Sequence, residues 1–257
     1  MPKPLRLPNI DEPSLLEQLQ IRLILPAEPR RWDQMVRQHH YLKNARLVGE
    51  QLRYGVMDAA GNWLALIGWS AAAMHLKARD QSIEWTDRQR EARLHLLAQN
   101  SRWVILAQRQ QYPNLASRAL SLCLQRLAAD WPARYHHPIV MVETFVDRES
   151  YQATAYKASG WQPLGYSSGF KRVAQDFYQR HDRPKELWVK ELDRRAWRWL
   201  RAQHLPPQLA RYEKSTPPVC ALKTEQIDFL RETIANPWLT SEQLQQIATA
   251  PCQLRLE

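Results

Sequence analysis

The sequence is poor in glycine and cysteine. It has 257 residues but only 7 Gly, and none lies between Gly68 and Gly160. The P-loop and the dinucleotide fingerprint both need glycines at fixed spacing, so this scarcity argues against either phosphate-binding motif. The three cysteines, Cys123, Cys220 and Cys252, lie far apart and form no close pair of the kind that a zinc ribbon or a redox motif requires. Three widely separated cysteines favour a reducing compartment.

Long apolar runs are also lacking. No stretch approaches the roughly 18 to 20 uninterrupted apolar residues of a membrane span, and residues 1–4 lead into charged sequence rather than into the apolar core of a signal peptide. A hydrophobic content of 44% with 11 Trp is still enough for a sizeable core. We therefore expect a cytoplasmic protein that has no membrane partner.

Positive charge is what the sequence has in excess. The formal net charge is +10, with 31 Lys+Arg against 20 Asp+Glu in residues 1–206 and 5 against 6 in residues 207–257. Arginine exceeds lysine in the first part, and its planar guanidinium suits bidentate contacts with phosphates and base edges. A nucleic acid, with DNA favoured, is thus the leading partner, and the alternative is a solvated basic surface that keeps the protein soluble.

Nine basic residues are the candidate DNA contacts. They lie on two predicted helices and in one connecting stretch, and Trp197 and Trp199 could add stacking surfaces on the second helix. They are Arg88, Arg90 and Arg93 on the first helix, Lys171 and Arg172 in the connection, and Arg194, Arg195, Arg198 and Arg201 on the second helix. The alternative for these arginines is a solvated helix face, and Trp197 and Trp199, two residues apart, point in different directions, so at least one belongs to the core.

The apolar patterning predicts an α/β (α+β) protein. Strands are predicted at 21–25, 52–57, 63–69, 102–106, 139–145, 161–166 and 186–190. Helices are predicted from about 32 to 40, opening at 70–73, and at 86–98, 115–131, 148–159 and 194–203, with two more at 224–235 and 240–248. The helix at 115–131 has the strongest signal, because apolar residues recur there at i, i+3, i+4 and i+7.

Proline clusters divide the predicted chain. An extended Pro-rich arm occupies 1–20, a core 21–206, and a small helical C-terminal appendage 207–257, after the double proline at Pro206 and Pro207. The appendage is a docking element or the stub of a longer protein.

Short motifs in the core resemble known families. The segment Tyr156 to Trp161, with Leu164 and Gly165, resembles the closing motif of the GNAT acyltransferase fold. A wider series resembles the DruA family of the Druantia anti-phage systems, whose domain also occurs at the front of some transposases. Its members are His39-His40-Tyr41-Leu42, Gly68-Trp69-Ser70-Ala71-Ala72, Arg79-Asp80, Asn100-Ser101-Arg102-Trp103-Val104-Ile105-Leu106, Asn114-Leu115-Ala116-Ser117, Asp130-Trp131 and Glu143-Thr144-Phe145-Val146-Asp147.

The resemblance covers roughly residues 20–200. It implies a GNAT-like mixed central sheet flanked by helices, an anti-phage or transposase-associated role, and partner proteins that include a helicase-like defence subunit. Relatives tend to carry Gly where this chain has Lys43 and Asn where it has Gly160. The Gly/Arg-rich stretch that follows in relatives is reduced here to residues 169–172.

Acyl transfer is one reaction to weigh. Binding the pyrophosphate of acetyl-CoA needs backbone N–H groups at a helix N-terminus that the phosphates can approach closely, normally through glycines. The corresponding helix begins at 112–117 without a glycine. Acetyl-CoA is therefore not expected as a cofactor, and an acyltransferase remains the least favoured alternative.

Metal-dependent cleavage of phosphodiesters is a second reaction. The candidate catalytic residues are His39, His40, Arg79, Asp80, Glu143, Asp147 and Tyr156, and a divalent metal is a possible cofactor. On one strand, residues i and i+4 lie roughly 13 Å apart, too far for Glu143 and Asp147 to share one ion. Asp147 alternatively caps a helix beginning at Arg148.

The other candidates also have structural alternatives. A buried Glu143 needs a partner such as Arg79 or Arg102. For Arg79 and Asp80 the alternative is a local salt-bridged turn. Adjacent histidines diverge on a helix, so at most one of His39 and His40 serves a given site. Nucleic-acid binding without catalysis, by a DNA-associated component of a defence system or mobile element, is the function that the sequence favours.

Overall fold

The computed structural model describes residues 11–108, 110–167 and 184–215, and the backbone alone of two strands at 170–174 and 177–180. The chain divides into two compact units, Met1–Lys214 and Ser215–Glu257. Apart from Ser215, the second unit lies outside the described residues, and so do the two helices predicted at 224–235 and 240–248. No helix among the described residues is long and apolar enough to cross a bilayer.

Helices and strands alternate along the first unit. In chain order they are α1 (Glu12–Glu17), β1 (Gln20–Leu23), α2 (Pro29–His39), β2 (Gln51–Met57), β3 (Trp63–Ala71), α3 (Lys77–Ile83), α4 (Asp87–Arg93), β4 (Leu97–Ile105), α5 (Leu115–Tyr135), β5 (Met141–Val146), α6 (Thr154–Ala158), β6 (Gln162–Tyr166), β7 (Phe170–Ala174), β8 (Phe177–Arg180), β9 (Glu186–Glu191), α7 (Ala196–Arg201) and α8 (Pro207–Ala210).

Seven strands form one mixed sheet in the order β1-β2-β3-β4-β5-β9-β6, and β7 and β8 form a separate hairpin. Only the β4–β5 pair is parallel. The mixed central sheet flanked by helices confirms the predicted fold class. The β4–β5 pairing ends at Asn100 and Thr144, although β4 continues to Ile105 and β5 to Val146. The two strands therefore part at their carboxyl ends.

Helices cover both faces of the sheet because successive strand residues point to opposite sides. On one face, α5 buries Ala119, Leu120, Cys123, Leu127 and Trp131 against β3 residues such as Ile67 and Trp69. On the other face, Trp32 and Val36 of α2 pack on Leu66 and Val104. Burial of each large apolar side chain contributes about 1.5 to 3 kcal/mol. The periodic face predicted for 115–131 is confirmed as the core face of α5.

The N-terminal segment differs from the extended arm that the prolines predict. Asp11 caps α1 by accepting a hydrogen bond from the Ser14 N–H at 3.1 Å, and Leu15 of that helix is buried. A good cap and one apolar anchor are thus enough to form a helix beside the prolines.

Three predicted helices have different bounds. The helix expected to open at 70–73 is absent there, because β3 continues to Ala71 and the next helix begins at Lys77. The charged helix ends at Arg93 rather than at residue 98, since buried Leu97 and Ala98 belong to β4. The helix expected from Arg148 begins only at Thr154, after a turn that Asp147 organises.

Residues 207–214 belong to the first compact unit, whereas we expected an appendage from Pro207. Leu205 and Leu209 are buried with Trp199, and Glu213 forms a salt bridge to Arg93 at 2.6 Å. The unit therefore extends eight residues beyond Pro206.

Candidate nucleic-acid interface

Three of the predicted catalytic residues form one buried ionic network. Arg79 of α3 and Glu143 of β5 are both 0% exposed and lie 3.0 Å apart, Nη1 to Oε2. Arg79 also donates from Nε to Asp80 Oδ1 at 2.9 Å and from Nη1 to the Ala73 carbonyl at 2.7 Å. The other oxygen of Glu143 accepts from the Ala73 N–H at 2.9 Å. This network ties α3 and the 72–76 loop to the sheet.

The network leaves no free ligand. Asp80 accepts from the Trp85 indole at 3.1 Å and from the Leu76 N–H at 3.1 Å, so both of its oxygens are occupied. Among the residues that the structure describes, no three His, Cys, Asp or Glu side chains are grouped closely enough to hold a metal ion. Of the two partners predicted for Glu143, the structure shows Arg79, and Arg102 points elsewhere.

Tyr156 forms a second buried network where β4 and β5 part. Its hydroxyl donates to Asn100 Oδ1 at 2.7 Å, and the Thr144 hydroxyl donates to the Asn100 carbonyl at 3.0 Å. Burial raises the pKa of Tyr156, so the phenol keeps its proton at neutral pH. The ring also lies 5.0 Å from Trp161. Tyr156 thus closes the gap between the strands from the α5 side.

Asp147 organises the turn after β5. Its carboxylate accepts from the Glu149 N–H at 3.1 Å and its carbonyl from the Tyr151 N–H at 2.8 Å. It therefore stabilises a turn ahead of α6, where the sequence predicted a helix cap. In doing so it fixes the position of Tyr151.

The two histidines point to different surroundings, as predicted for neighbours on a helix. His39 is half-buried, whereas His40 is buried and its Nδ1 accepts from the Leu42 N–H at 3.1 Å. Burial lowers the pKa of His40 to about 4, and nearby Arg102, Lys185 and Lys43 lower it further in the same direction. His40 is therefore neutral at pH 7, with its proton on Nε2 and its Nδ1 lone pair already used.

Two arginines of the predicted set are used inside the protein. Arg93 is 1% exposed, donates to the carbonyls of Leu200 at 2.9 Å and Ala202, and pairs with Glu213. Arg90 is also buried and pairs with Asp87. These two arginines are corrections to the predicted set of DNA contacts. Arg93 instead satisfies carbonyls at the C-terminal end of α7, where a cation is favoured.

The remaining residues of the predicted set differ in availability. Arg195 forms a two-pronged pair with Asp193 and lies over the Trp199 ring, and Arg201 pairs with Glu84 at 3.3 Å. Arg88, Arg194 and Arg198 are exposed. Trp199 is a core residue, as predicted for one of the two tryptophans. Lys171 and Arg172 lie in β7, whose side chains are outside the described residues.

A different basic surface lies at the mouth where β4 and β5 part. We define the tyrosine–cation surface as Tyr41, Lys43, Arg102, Tyr151 and Lys185, above buried His40. Lys185 donates to the Tyr41 hydroxyl at 2.8 Å and lies 5.1 Å from its ring. The Tyr41 and Tyr151 rings are 5.6 Å apart. Three loops and one strand, far apart in sequence, meet here.

The cations of this surface are held by neutral groups. Arg102 donates to the carbonyls of Ser101 at 2.6 Å and Arg46 at 2.9 Å and to that of Asn44, and Lys43 donates to the Gln38 carbonyl at 2.7 Å. Within the described ranges, no carboxylate forms a salt bridge with Lys43, Arg102 or Lys185. Burial lowers the pKa of Arg102, which nevertheless stays charged. Among the described residues, the positive charge of this surface is therefore not neutralised by a carboxylate.

The start of α5 does not fit an acetyl-CoA pyrophosphate. The segment ahead of the helix has no glycine, and the Glu12 carboxylate already accepts from the Asn114 N–H at 2.6 Å and from its side-chain amide at 3.3 Å. A negative group thus lies where a phosphate would have to approach.

Sequence reasoning missed most of the tyrosine–cation surface. It singled out His40 and noted Lys43 as a departure from related sequences, but Tyr151 and Lys185 lie more than 100 residues further along the chain. Tyr41 and Tyr151 could have been found as aromatic residues in polar loops, because aromatic residues are usually buried in the core.

Comparisons with known proteins agree with the motif series. Residues 14–185 match the family model described as "Druantia protein DruA". No curated protein matches the chain. Solved structures that resemble it include spermidine N-acetyltransferase from Vibrio cholerae in complex with CoA and spermine, at 13% identity, covering 68% of this chain and 96% of that chain, with a TM-score of 0.42. A chimera of SpeG from Vibrio cholerae and hSSAT matches at 14% identity, covering 68% and 95%, with the same TM-score.

Proposed function

The chain belongs to the DruA family, and on that premise we propose that it is the DNA-associated component of an anti-phage defence system and meets DNA at the tyrosine–cation surface. A helicase-like subunit and other proteins of the system are the proposed partners. The proposal keeps the DNA partner that the sequence favours and moves its contact away from α4 and α7.

One observation supports this location above the others. Burial lowers the pKa of His40, and Arg102, Lys185 and Lys43 lie near enough to lower it further; none of these three cations has a carboxylate partner in the described part of the chain. Elsewhere Arg79, Arg90, Arg93, Arg195 and Arg201 are paired. A phosphate gains most from a cation that is not already neutralised.

His40 fits a supporting role at this surface. A neutral imidazole adds no charge, and its Nδ1 holds the Leu42 backbone, which places Tyr41 at the surface. General-base catalysis by Nδ1 would require breaking that hydrogen bond. Binding without chemistry is therefore the function that the geometry supports best.

The test is DNA binding across salt concentrations. Purified protein is titrated into fluorescently labelled DNA between 50 and 200 mM salt, for the parent and for Lys43→Ala/Lys185→Ala. The double variant should bind more weakly at every salt concentration, and the slope of log K against log salt should become shallower by about 1 to 2, because each phosphate contact contributes roughly one unit.

Arg194→Ala/Arg198→Ala is the matched control. It removes the same number of exposed charges from the α7 side and should change affinity less than the surface variant. Salt-insensitive or absent binding by the parent would remove the DNA function, and an equal loss in both double variants would remove the assignment to this surface.

A further inference from the structure

Two tyrosines of the surface are exposed without an evident structural reason. Tyr41 is 39% exposed and Tyr151 is 47% exposed. Neither belongs to any of the four buried hydrophobic clusters of the described residues. Exposing this much aromatic area costs hydrophobic free energy. It calls for an explanation beyond folding.

The Tyr41 ring and the backbone that carries Tyr151 are nevertheless held in place. Tyr41 lies 4.6 Å from the His40 ring, and its hydroxyl accepts from Lys185. The backbone of Tyr151 is fixed from both sides, since its N–H donates to the Asp147 carbonyl at 2.8 Å and its carbonyl accepts from Arg148 at 3.3 Å. Side chains fixed before binding lose little conformational entropy when a ligand arrives. These tyrosines form a preorganised aromatic pair.

We propose that the tyrosine–cation surface binds single-stranded nucleic acid, with unpaired bases stacking on Tyr41 and Tyr151 while Arg102, Lys43 and Lys185 contact the phosphates. This inference rests on the proposed function and specifies the form of its ligand. Exposed aromatic rings beside cations are the combination that single-stranded nucleic acid recognises, because every base has a face to stack and every nucleotide a phosphate.

A duplex would use this surface less well. Its bases are stacked on one another inside the helix, so its phosphates could meet the cations but its bases could not meet the rings. A purely electrostatic duplex contact needs only Lys and Arg. The Asp147 carboxylate is engaged in the turn that carries Tyr151. Burial raises the pKa of Tyr151, and Tyr41 and Asp147 raise it further, so its phenol stays neutral.

The experiment compares nucleic acid forms and ring chemistry at fixed salt. Labelled oligonucleotides of one sequence are presented as single-stranded DNA, duplex DNA and single-stranded RNA to the full chain. The variants are Tyr41→Leu/Tyr151→Leu, which keeps apolar bulk without a ring, and Tyr41→Phe/Tyr151→Phe, which keeps the rings without hydroxyls. Circular dichroism melting confirms that each variant folds.

The parent should bind single strands more tightly than the duplex. The leucine variant should lose roughly 5- to 100-fold in single-strand affinity, as expected for loss of base stacking, while the phenylalanine variant stays within about threefold of the parent. Duplex affinity should change little in either. If single-stranded RNA binds as tightly as single-stranded DNA, the result supports the same stacking site and shows that RNA is also a ligand.

The results distinguish failure of the stacking inference from failure of the DNA function. Duplex binding as tight as single-strand binding, or a leucine variant that binds like the parent, overturns the stacking inference and leaves the DNA function standing. Absence of binding to every form, including at 50 mM salt, overturns both.

Discussion

The buried network around Arg79 and the tyrosine–cation surface lie on neighbouring strands and use their charges in opposite ways. At the network, Arg79 meets Glu143 and Asp80, all three side chains being hydrogen-bonded inside the protein. At the surface, Arg102 donates to carbonyls and meets no carboxylate among the described residues. The difference is the presence of a carboxylate across from the cation. Both guanidiniums hold the fold, but the charge of Arg102 is not neutralised by a carboxylate of the described residues.

This comparison changes which basic residues are the candidate DNA contacts. Charge counting predicts a basic protein but not which charges are free. Arg93, in a predicted solvated helix face, is almost wholly buried, whereas Lys185, which had no pattern around it, reaches an exposed tyrosine. Whether a basic side chain can contact a ligand depends on its tertiary surroundings.

The largest effect should come from breaking the network. Glu143→Ala leaves the Arg79 guanidinium buried without its main counter-charge, and we expect the free energy of unfolding to fall by about 3 to 5 kcal/mol. Urea unfolding followed by circular dichroism measures this. Any loss of DNA binding should parallel unfolding.

The control for Glu143→Ala removes both charges. Arg79→Met/Glu143→Leu should lose less stability than the single variant, because no uncompensated charge remains between these two positions. A Glu143→Ala protein that is as stable as the parent but has lost a nucleic-acid-dependent activity would instead place Glu143 in a catalytic site.

A smaller loss is expected from Arg93. Arg93→Ala removes hydrogen bonds to the last carbonyls of α7 and the pair with Glu213, so stability should fall by about 2 to 3 kcal/mol. Thermal melting compared with Arg194→Ala, an exposed arginine near the same helix, checks this, since the control should stay within about 0.5 kcal/mol of the parent. Equal melting temperatures for the two variants would show that Arg93 is not structural.

Much of this architecture follows from the sequence, and the exceptions have physical causes. The apolar stripe from Leu115 to Trp131 predicts α5 because a helix of that length must bury one face. The buried position of Glu143 predicts an arginine partner for the same desolvation reason. The helix ending at Arg93 was predicted to run to residue 98 because Leu94 and Leu97 continue its apolar face, whereas Leu97 pairs with Met141 of β5 and so belongs to the sheet.

The surface itself could not be predicted in the same way. No local pattern links residues 41, 102, 151 and 185, and only the sheet order and the turn at Asp147 bring them together. Likewise, Arg93 is buried by carbonyls more than 100 residues along the chain. Contacts of such sequence separation leave no signature in a single sequence.

Acid pH should weaken the fold through buried His40 and half-buried His95. Burial lowers the pKa of both His40 and His95 to about 4; Arg102, Lys185 and Lys43 act in the same direction on His40, and Lys214 and His137 on His95. The unfolded chain binds these protons near pH 6.5 and the folded chain only near pH 4. Stability is therefore fully present above about pH 6.5 and is lost as the pH falls from there towards 4.

His95→Phe tests this assignment. The phenyl ring keeps a packing partner for His137, which lies 4.8 Å away, and removes a buried Nδ1 that has no partner among the described residues. It also removes the hydrogen bond between the imidazole and the Tyr212 backbone. We expect the variant to be less stable than the parent in urea at pH 7.5 by about one hydrogen bond, about 1 kcal/mol, and to lose less stability than the parent does between pH 7.5 and pH 5. An unchanged pH dependence would contradict the role of His95.

The smallest effect on stability should come from the surface. Lys43→Ala/Lys185→Ala removes two cations that form no salt bridge in the described ranges, so the melting temperature should shift by an amount equivalent to less than about 0.5 kcal/mol. A drop as large as that of Arg93→Ala would mean that these lysines, too, serve the fold.

Hydrogen exchange with and without a single-stranded oligonucleotide, read by mass spectrometry on the full chain, tests the contact most directly. The account predicts slower exchange in peptides covering 41–46 and 147–153 and no change in those covering 87–93 and 196–201. Protection confined to the α4 and α7 peptides would contradict it.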